Sequence, residues 1–420
     1  MKCRLFLSLL LAGMCIVLHA EDDKNEGIVF MKNEPWQSVL KKAKEQNRLI
    51  FMDCYTVWCG PCKGLVKDIF PQKKVGDYFN ANFINVAYDM EKGEGKVLYE
   101  KYRKNIIGFP TLLLINDREE VVHQMAGYKE ADVLIEGVKA GASGHSLFAS
   151  EKKYEAGARD ITTVSAYVSA LEQAHLTAKI HPVVAEYLKT IPVDSLTNPD
   201  VWKVFGKHIT DPYSEAYRFV FDNIERKFQY GLKVNRYDLE KQLARYMSDA
   251  VGNILKTTKT THNADTLQLL KEQTKYLNGM LTQNTIKGFP TLAAKLQINT
   301  LRLEGKPLEV YRTVDYLEPS GLLASELTFK ADTWRYVAEN VSDKDILQAI
   351  AEKVTALQTG QKSPDNALSY NFYDVLALTY ARLGDKAKSE EAQAEYDKRK
   401  ETRDAYLKEL TAKRKSDDNS

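Results

Sequence analysis

The sequence predicts an α/β domain near the N-terminus followed by an all-α domain of helical hairpins. Three observations carry this expectation. From about residue 27 to 140, short apolar runs alternate with segments of helical spacing. From 150 to 415, strand-like runs are almost absent, and amphipathic segments follow one another between Gly, Pro and Asn. Within the first region, a nearly continuous apolar run leads directly into a two-cysteine segment, Val57-Trp58-Cys59-Gly60-Pro61-Cys62-Lys63.

Taken in order, residues 1–20 read as a signal peptide. Lys2 and Arg4 give a basic start, 5–18 an apolar run too short to span a bilayer comfortably, and Ala20 a cleavage point. The protein is therefore expected to be exported, and periplasmic in a bacterium. A lipoprotein is the weaker reading, because Met14 stands before Cys15 where a lipid-attachment pattern wants Gly or Ala. The first mature domain is expected over 21–141. Its elements are a short strand at 28–31, a helix at 36–47 and a buried central strand at 48–54. A helix then runs from the two cysteines through Leu65, Val66 and Ile69 towards Tyr78 and Phe79. A strand at 82–89, a helix at 95–104, a hairpin of 111–117 and 120–125 around Asp117-Arg118-Glu119, and a helix at 130–141 complete the order βαβαβαββα.

A small, polar linker is expected at 142–149 and an all-α domain over 150–420, with a charged C-terminal tail. Asn198 and Pro199 open one helix as cap and first helical residue. The segment 369–400 is a helix, a Leu383-Gly384-Asp385 turn and a second helix. It resembles a tetratricopeptide-type hairpin, with Ala377, Tyr380, Gly384 and Ala387 at suitable positions. The run Gly288-Phe289-Pro290-Thr291-Leu292 repeats 108–112, but helical segments flank it, so Pro290 is read as a helix start.

Charge excludes some partners. Lys and Arg number 59 against 57 Asp and Glu, a net +2, so there is no electrostatic case for nucleic acid or an anionic membrane as the main partner. Loss of the leader removes Cys3 and Cys15, leaving Cys54, Cys59 and Cys62, too few for a disulfide scaffold.

The CxxC pair admits three readings: a redox centre, half of a metal site, or an inert structural disulfide. Zinc takes four ligands, or three and a water, yet there is no second CxxC and the histidines are scattered; neither metal nor cofactor is expected. The redox reading rests on position. A CxxC opening a helix after a buried strand sets Cys59 at the positive helix end, where N–H groups stabilise a thiolate. Pro61 in the first turn removes no hydrogen bond, because those N–H groups have no intrahelical partner. Cys59 is then an exposed nucleophile that attacks a substrate disulfide, and Cys62, one turn further in and shielded, resolves the mixed disulfide.

With these residues in place, 27–141 resembles a thioredoxin domain. The segment 48–63 matches that family's strand-then-motif pattern, Asp53 its buried acid, Gly108-Phe109-Pro110-Thr111 the segment with its cis-proline, and Gly127 a glycine near its active site. Trp36, Val39-Leu40, Lys42-Ala43-Lys44 and Asp53 are similar to the approach seen in exported thioredoxin-like proteins and in the soluble domain of membrane disulfide-interchange reductases. The resemblance implies a thioredoxin fold and a redox disulfide between Cys59 and Cys62. It also implies that Asp53 takes the proton of Cys62, and that Trp58, Gly60, Pro61, Phe109, cis-Pro110 and Gly127 form a substrate surface. Two departures stand out: no lysine on 83–89 to pair with Asp53, and a bulky Phe109 before the proline. Cys54 is read as a core thiol, and 90–95 as a longer loop that either shapes the site or is a surface insertion.

By the same resemblance, CGPC is the reducing variant of the motif. The expected activity is that of a thiol–disulfide oxidoreductase, a reductase or isomerase acting on disulfide-containing exported proteins and fed by a membrane electron donor. The helical domain is expected to hold a client or partner. Two alternatives remain at this point: a client-binding scaffold or chaperone-like protein that uses the fold as a docking platform, and a disulfide oxidase.

Overall fold

A computed structural model describes residues 26–32, 34–283, 286–359 and 369–417. The expected leader at 1–20 lies outside them. The chain divides into two compact units, Met1–Val183 and Val184–Ser420.

In the first unit the elements are β1 (Met31–Lys32), α1 (Trp36–Gln46), β2 (Leu49–Tyr55), α2 (Gly60–Gly64), α3 (Lys73–Asn82), β3 (Phe83–Asp89), α4 (Gly93–Tyr102), β4 (Thr111–Ile115), β5 (Val121–Ala126), α5 (Ala131–Ala142), α6 (Leu147–Glu155) and α7 (Ile161–Gln173). The five strands lie in the order β1-β3-β2-β4-β5. β1, β3 and β2 run parallel, and β4 and β5 antiparallel. This is a thioredoxin-type sheet with helices on both faces. β2 is central, which explains its unbroken apolar run: both of its faces are covered.

Strand alternation divides the core. Ile50, Met52 and Cys54 face Trp36, Val86, Leu98, Tyr102, Leu113 and Ile115 on one side. Phe51 faces Leu65, Ile69, Phe79, Leu112, Leu134 and Val138 on the other. Asp53 shares the Phe51 face by the two-residue period, and so lies on the side covered by the segment that begins at the cysteines.

Two expected elements differ. The strand at 28–31 shrinks to Met31–Lys32 because the N–H groups ahead of it go elsewhere: Ile28 donates to the Phe70 carbonyl at 2.9 Å and Val29 to Asn80 Oδ1 at 2.9 Å. The helix expected to continue towards Phe79 passes into a π-helical turn at Leu65–Ile69 and stops. Pro71, which has no N–H to donate, follows at once, and α3 restarts at Lys73.

Helices α6 and α7 pack on β5 and belong to the first unit. The expected linker at 142–149 contains the turn after α5 and the first residues of α6. Ser146 caps α6. The backbone N–H of Leu147 donates to Nδ1 of His123 on β5 at 3.0 Å. His123 is buried, and Gly141 makes room for it: a Cβ there would fall 2.5 Å from the imidazole Cδ2.

Every regular element among the described residues of the second unit is a helix. Trp334, Phe372, Ile350 and Val354 centre one of its cores. Pro290 sits in the first turn of the helix Phe289–Leu303, and Gly288 precedes it at φ 94°, so this copy of the GFPTL string starts a helix. The helices Ser369–Leu383 and Lys386–Asp417 pair across Gly384 at φ 84°. Arg382 donates to the carbonyls of Ala338, Glu339 and Val341, which cap the helix Leu327–Asn340.

Burial pushes the His123 imidazole down to about 4. Its folded value lies below its ordinary one, so its contribution to stability is complete above about pH 6.5 and is lost as pH falls towards 4. Denaturant titrations should show the stability gap between wild type and His123→Asn, which keeps an acceptor for Leu147, shrinking by about 3 kcal/mol from pH 7.5 to pH 4. Parallel profiles would show that the imidazole is not buried neutral.

Candidate active site

The site begins where β2 ends. After Tyr55 the chain turns, Cys59 donates its N–H to the Thr56 carbonyl at 3.2 Å, and α2 starts at Gly60. Cys59 is the N-cap of α2 in extended conformation, and its sulfur accepts the backbone N–H of Cys62 at 3.1 Å. Pro61 occupies the first turn, where it displaces no helical bond. Cys59 and Cys62 form a disulfide, with Cα atoms 5.3 Å apart. Both residues are 3% exposed, so Cys59 is no more accessible than Cys62. The exposed Cys59 expected from the sequence is thus not found in this oxidised state. The bond to Cys62 and the N–H behind it draw the sulfur inward.

Asp53 lies six residues before Cys59 and is 2% exposed. Its register partners are Ala87 on β3 and Leu112 on β4, neither of which offers a cation. Its Oδ1 has no hydrogen-bond partner. Burial alone pushes the carboxyl up to about 7. Cys54, the next residue, faces the opposite core and is a free, buried thiol. Burial, and secondarily the Asp53 charge, holds it well above the ordinary thiol range.

The sheet register brings the second half of the site alongside. Cys54 pairs with Thr111 and Thr111 with Ala126, so the start of β4 and the end of β5 lie beside the end of β2. The Phe109–Pro110 peptide is cis. The Pro110 carbonyl accepts the Gly127 N–H at 2.8 Å, and Thr111 Oγ1 donates to the Gly108 carbonyl at 2.6 Å. Gly127 has φ 75°, a value that favours glycine. Gly60 and Pro61 are exposed, Phe109 is half-buried and Pro110 buried.

Trp58 and Phe109 meet edge to face at 6.0 Å, and Tyr99 lies 6.3 Å beyond Phe109. The Trp58 indole N–H donates to the Glu91 carboxylate, 3.1 Å from each oxygen. The segment expected as a loop at 90–95 is a turn that passes into α4 at Gly93, and it shapes the site through Glu91, a residue that the sequence reading did not single out. Sequence reading also missed His175, Lys129 and Tyr128. A Cβ on Gly127 would fall 2.6 Å from His175 Cε1, Lys129 Nζ is 3.2 Å from His175 Nε2, and the Tyr128 ring rests against Gly64 at the end of α2. No local signal marks a contact between residues 46 positions apart.

Residues 36–141 match a family model described as a thioredoxin-like domain. The chain is 30% identical over 112 residues to an H-type thioredoxin of Oryza sativa subsp. indica, covering 26% of this chain and 83% of that one. It is 30% identical over 86 residues to the thiol:disulfide interchange protein DsbD of Vibrio cholerae, covering 20% of this chain and 14% of DsbD. A disulphide-isomerase candidate from Bacteroides thetaiotaomicron, solved in solution, is 44% identical over 28% of this chain and 94% of that chain, with a TM-score of 0.26. The chain spans less than a fifth of the length of three longer curated relatives, DsbD among them. Through residues 36–141, with Cys59 and Cys62 at the start of α2, this chain belongs to the thioredoxin-like family.

Proposed function

We propose that the protein is an exported thiol–disulfide oxidoreductase that reduces or reshuffles disulfides in exported proteins. The observation that carries this reading is the Cys59–Cys62 disulfide at the opening of α2, with the Cys62 N–H on the Cys59 sulfur.

In the reduced protein, helix-terminal N–H groups favour the Cys59 thiolate over the thiol. The thiolate attacks one sulfur of a client disulfide. The client S–S bond breaks, a Cys59–client mixed disulfide forms, and the other client sulfur leaves as a thiol after taking a proton from water. Asp53 then accepts the proton of Cys62. The Cys62 thiolate attacks the Cys59 sulfur, the bond from Cys59 to the client breaks, the Cys59–Cys62 disulfide forms, and the second client sulfur leaves as a thiolate that takes up the proton held by Asp53. Two electrons pass to the client, and an external dithiol must return them. A buried carboxyl at about 7 suits the proton step, since it is divided between acid and base at neutral pH.

Trp58, Gly60, Pro61, Phe109, Pro110 and Gly127 are the proposed client surface. Val57 and Ile107, 51% and 48% exposed, extend it with apolar area. A buried prolyl residue has no N–H, and its neighbour's backbone pairs with an extended client strand. The likeness of 86 residues to the thiol:disulfide interchange protein DsbD supports a role in thiol–disulfide exchange. Export and a membrane electron donor are proposed from the leader-like start and the thioredoxin resemblance of the sequence. Among the described residues no helix is long and apolar enough to cross a membrane itself. The helical unit is proposed to hold clients or partners.

Insulin reduction with dithiothreitol as donor tests the activity: Cys59→Ser should fall to the rate of dithiothreitol alone, while Cys62→Ser should accumulate client mixed disulfides. Full activity in Cys59→Ser would reject the assignment. Asp53 provides a second test. Its folded value lies above its ordinary 3.8, so its contribution to stability is complete at low pH and is lost as pH rises through 7. Asp53→Asn should therefore gain about 4 kcal/mol relative to wild type between pH 4 and pH 8. The same variant should slow release of the second client thiol by roughly a hundredfold at pH 7. Equal pH profiles, or unchanged release, would remove Asp53 from the mechanism.

A further inference from the structure

The thioredoxin-like match ends at residue 141, yet the first unit continues to Val183. The added helices deliver one side chain back to the redox site. His175 follows α7 at φ 55°, with its N–H donating to the Glu172 carbonyl at 3.0 Å. Its ring fills the hollow beside Gly127: a Cβ there would lie 2.6 Å from Cε1, 3.3 Å from Nε2 and 3.4 Å from Nδ1. The imidazole edge carrying both nitrogens therefore faces the loop at 127–129.

That loop is tied to the redox centre on both flanks. Gly127 bonds to the carbonyl of cis-Pro110, and Tyr128 packs on Gly64 of α2. Lys129 donates to the Ala126 carbonyl and lies 3.2 Å from His175 Nε2. With Nε2 accepting from the ammonium, the imidazole proton resides on Nδ1. One ammonium proton and the Nδ1–H are left over from these contacts. Burial lowers Lys129, and burial together with Lys129 lowers His175, which keeps the imidazole neutral beside a charged lysine. His175 remains exposed and Lys129 half-buried, so both can meet a client.

We infer that Lys129 and His175 form a cationic rim at the Gly127 end of the client groove and select client strands carrying a Glu or Asp side chain near the reacting cysteine. This inference rests on the reductase reading. A passing strand that pairs beside cis-Pro110 must cross the Gly127 loop, where a carboxylate would receive the remaining Lys129 and Nδ1 protons. A bond from a charged donor to a charged acceptor is the stronger kind, and partial exposure limits its worth. His175 and Lys129 are specificity residues in this account and take no part in electron transfer.

The test uses the full-length protein, kept reduced, and fluorogenic disulfide peptides. The set is identical except for a single Glu, Gln or Lys placed two or three residues to either side of the cysteine. Wild type should favour one Glu peptide over its Gln partner by about threefold to fivefold in kcat/KM at low salt, with Lys lowest. The preference should fade at high salt. In His175→Gln and in Lys129→Met the Glu-to-Gln ratio should fall to about one, with unfolding midpoints measured on both to confirm folded protein. A second arm needs no turnover: Gly127→Ala should destabilise wild type more than it destabilises His175→Ala, because the clash with the ring is then absent and only the φ strain remains. A flat ratio in active wild-type protein, or a ratio unchanged in both variants, overturns the inference and leaves the reductase reading standing. Failure of wild type to reduce any peptide overturns the reading and the inference with it.

Discussion

The Cys62 backbone N–H reaches back 3.1 Å to the Cys59 sulfur, and the rest of the redox site is arranged around that contact. It exists because a helix begins there with unpaired N–H groups. The helix begins there because β2 ends at Tyr55 and Pro61 fits a first turn and little else in a helix. β2 in turn is fixed by the register of its two neighbours, β3 and β4: Asp53 opposite Ala87 and Leu112, Cys54 opposite Tyr88 and Thr111. The same register draws cis-Pro110 and Gly127 to the end of the sheet at which the sulfurs sit. One end of the sheet therefore brings together Cys59, Cys62, Asp53, cis-Pro110 and Gly127, the residues on which the proposed mechanism draws.

The cost of this arrangement is carried by Asp53. A carboxyl with no cation on either adjacent strand and one oxygen without a partner is out of place in a core. Its replacement by an apolar residue would stabilise the sheet at neutral pH, so the position makes sense as a site for a proton and not as packing. His123 is a buried titratable group of the opposite kind. It stays neutral, its Nδ1 holds the start of α6, and its pH dependence has the reverse sign. Between about pH 4 and 6.5 the two slopes oppose one another, which flattens the response of the whole unit over that range.

Much of the first unit could be read from the chain itself. The unbroken run 48–54 points to a central strand, the CGPC string to the start of a helix, and the two strand-like runs on either side of Asp117-Arg118-Glu119 to a hairpin. The thioredoxin-like match and the strand order bear out this fold. What escaped was non-local. Nothing near residue 28 reveals that its N–H groups will be taken by Phe70 and Asn80, so the first strand looked longer than it is. Pro71 was in plain view, but apolar spacing across it suggested continuity. Glu91 is one of several acids in its loop, and only the fold shows that it holds the Trp58 indole. His175 lies beyond the domain that the motifs outlined, in a segment whose helical spacing gave no sign of where it would dock.

In the proposed mechanism the helix opening lowers the proton affinity of one sulfur. Cys59 is therefore the group to titrate directly, in reduced protein, with Cys62 and Cys54 replaced by serine and alanine. Its rate of alkylation by iodoacetamide, followed against pH, should rise to a plateau with a midpoint clearly below the ordinary thiol value of about 8.5. A midpoint at or above that value would contradict the account.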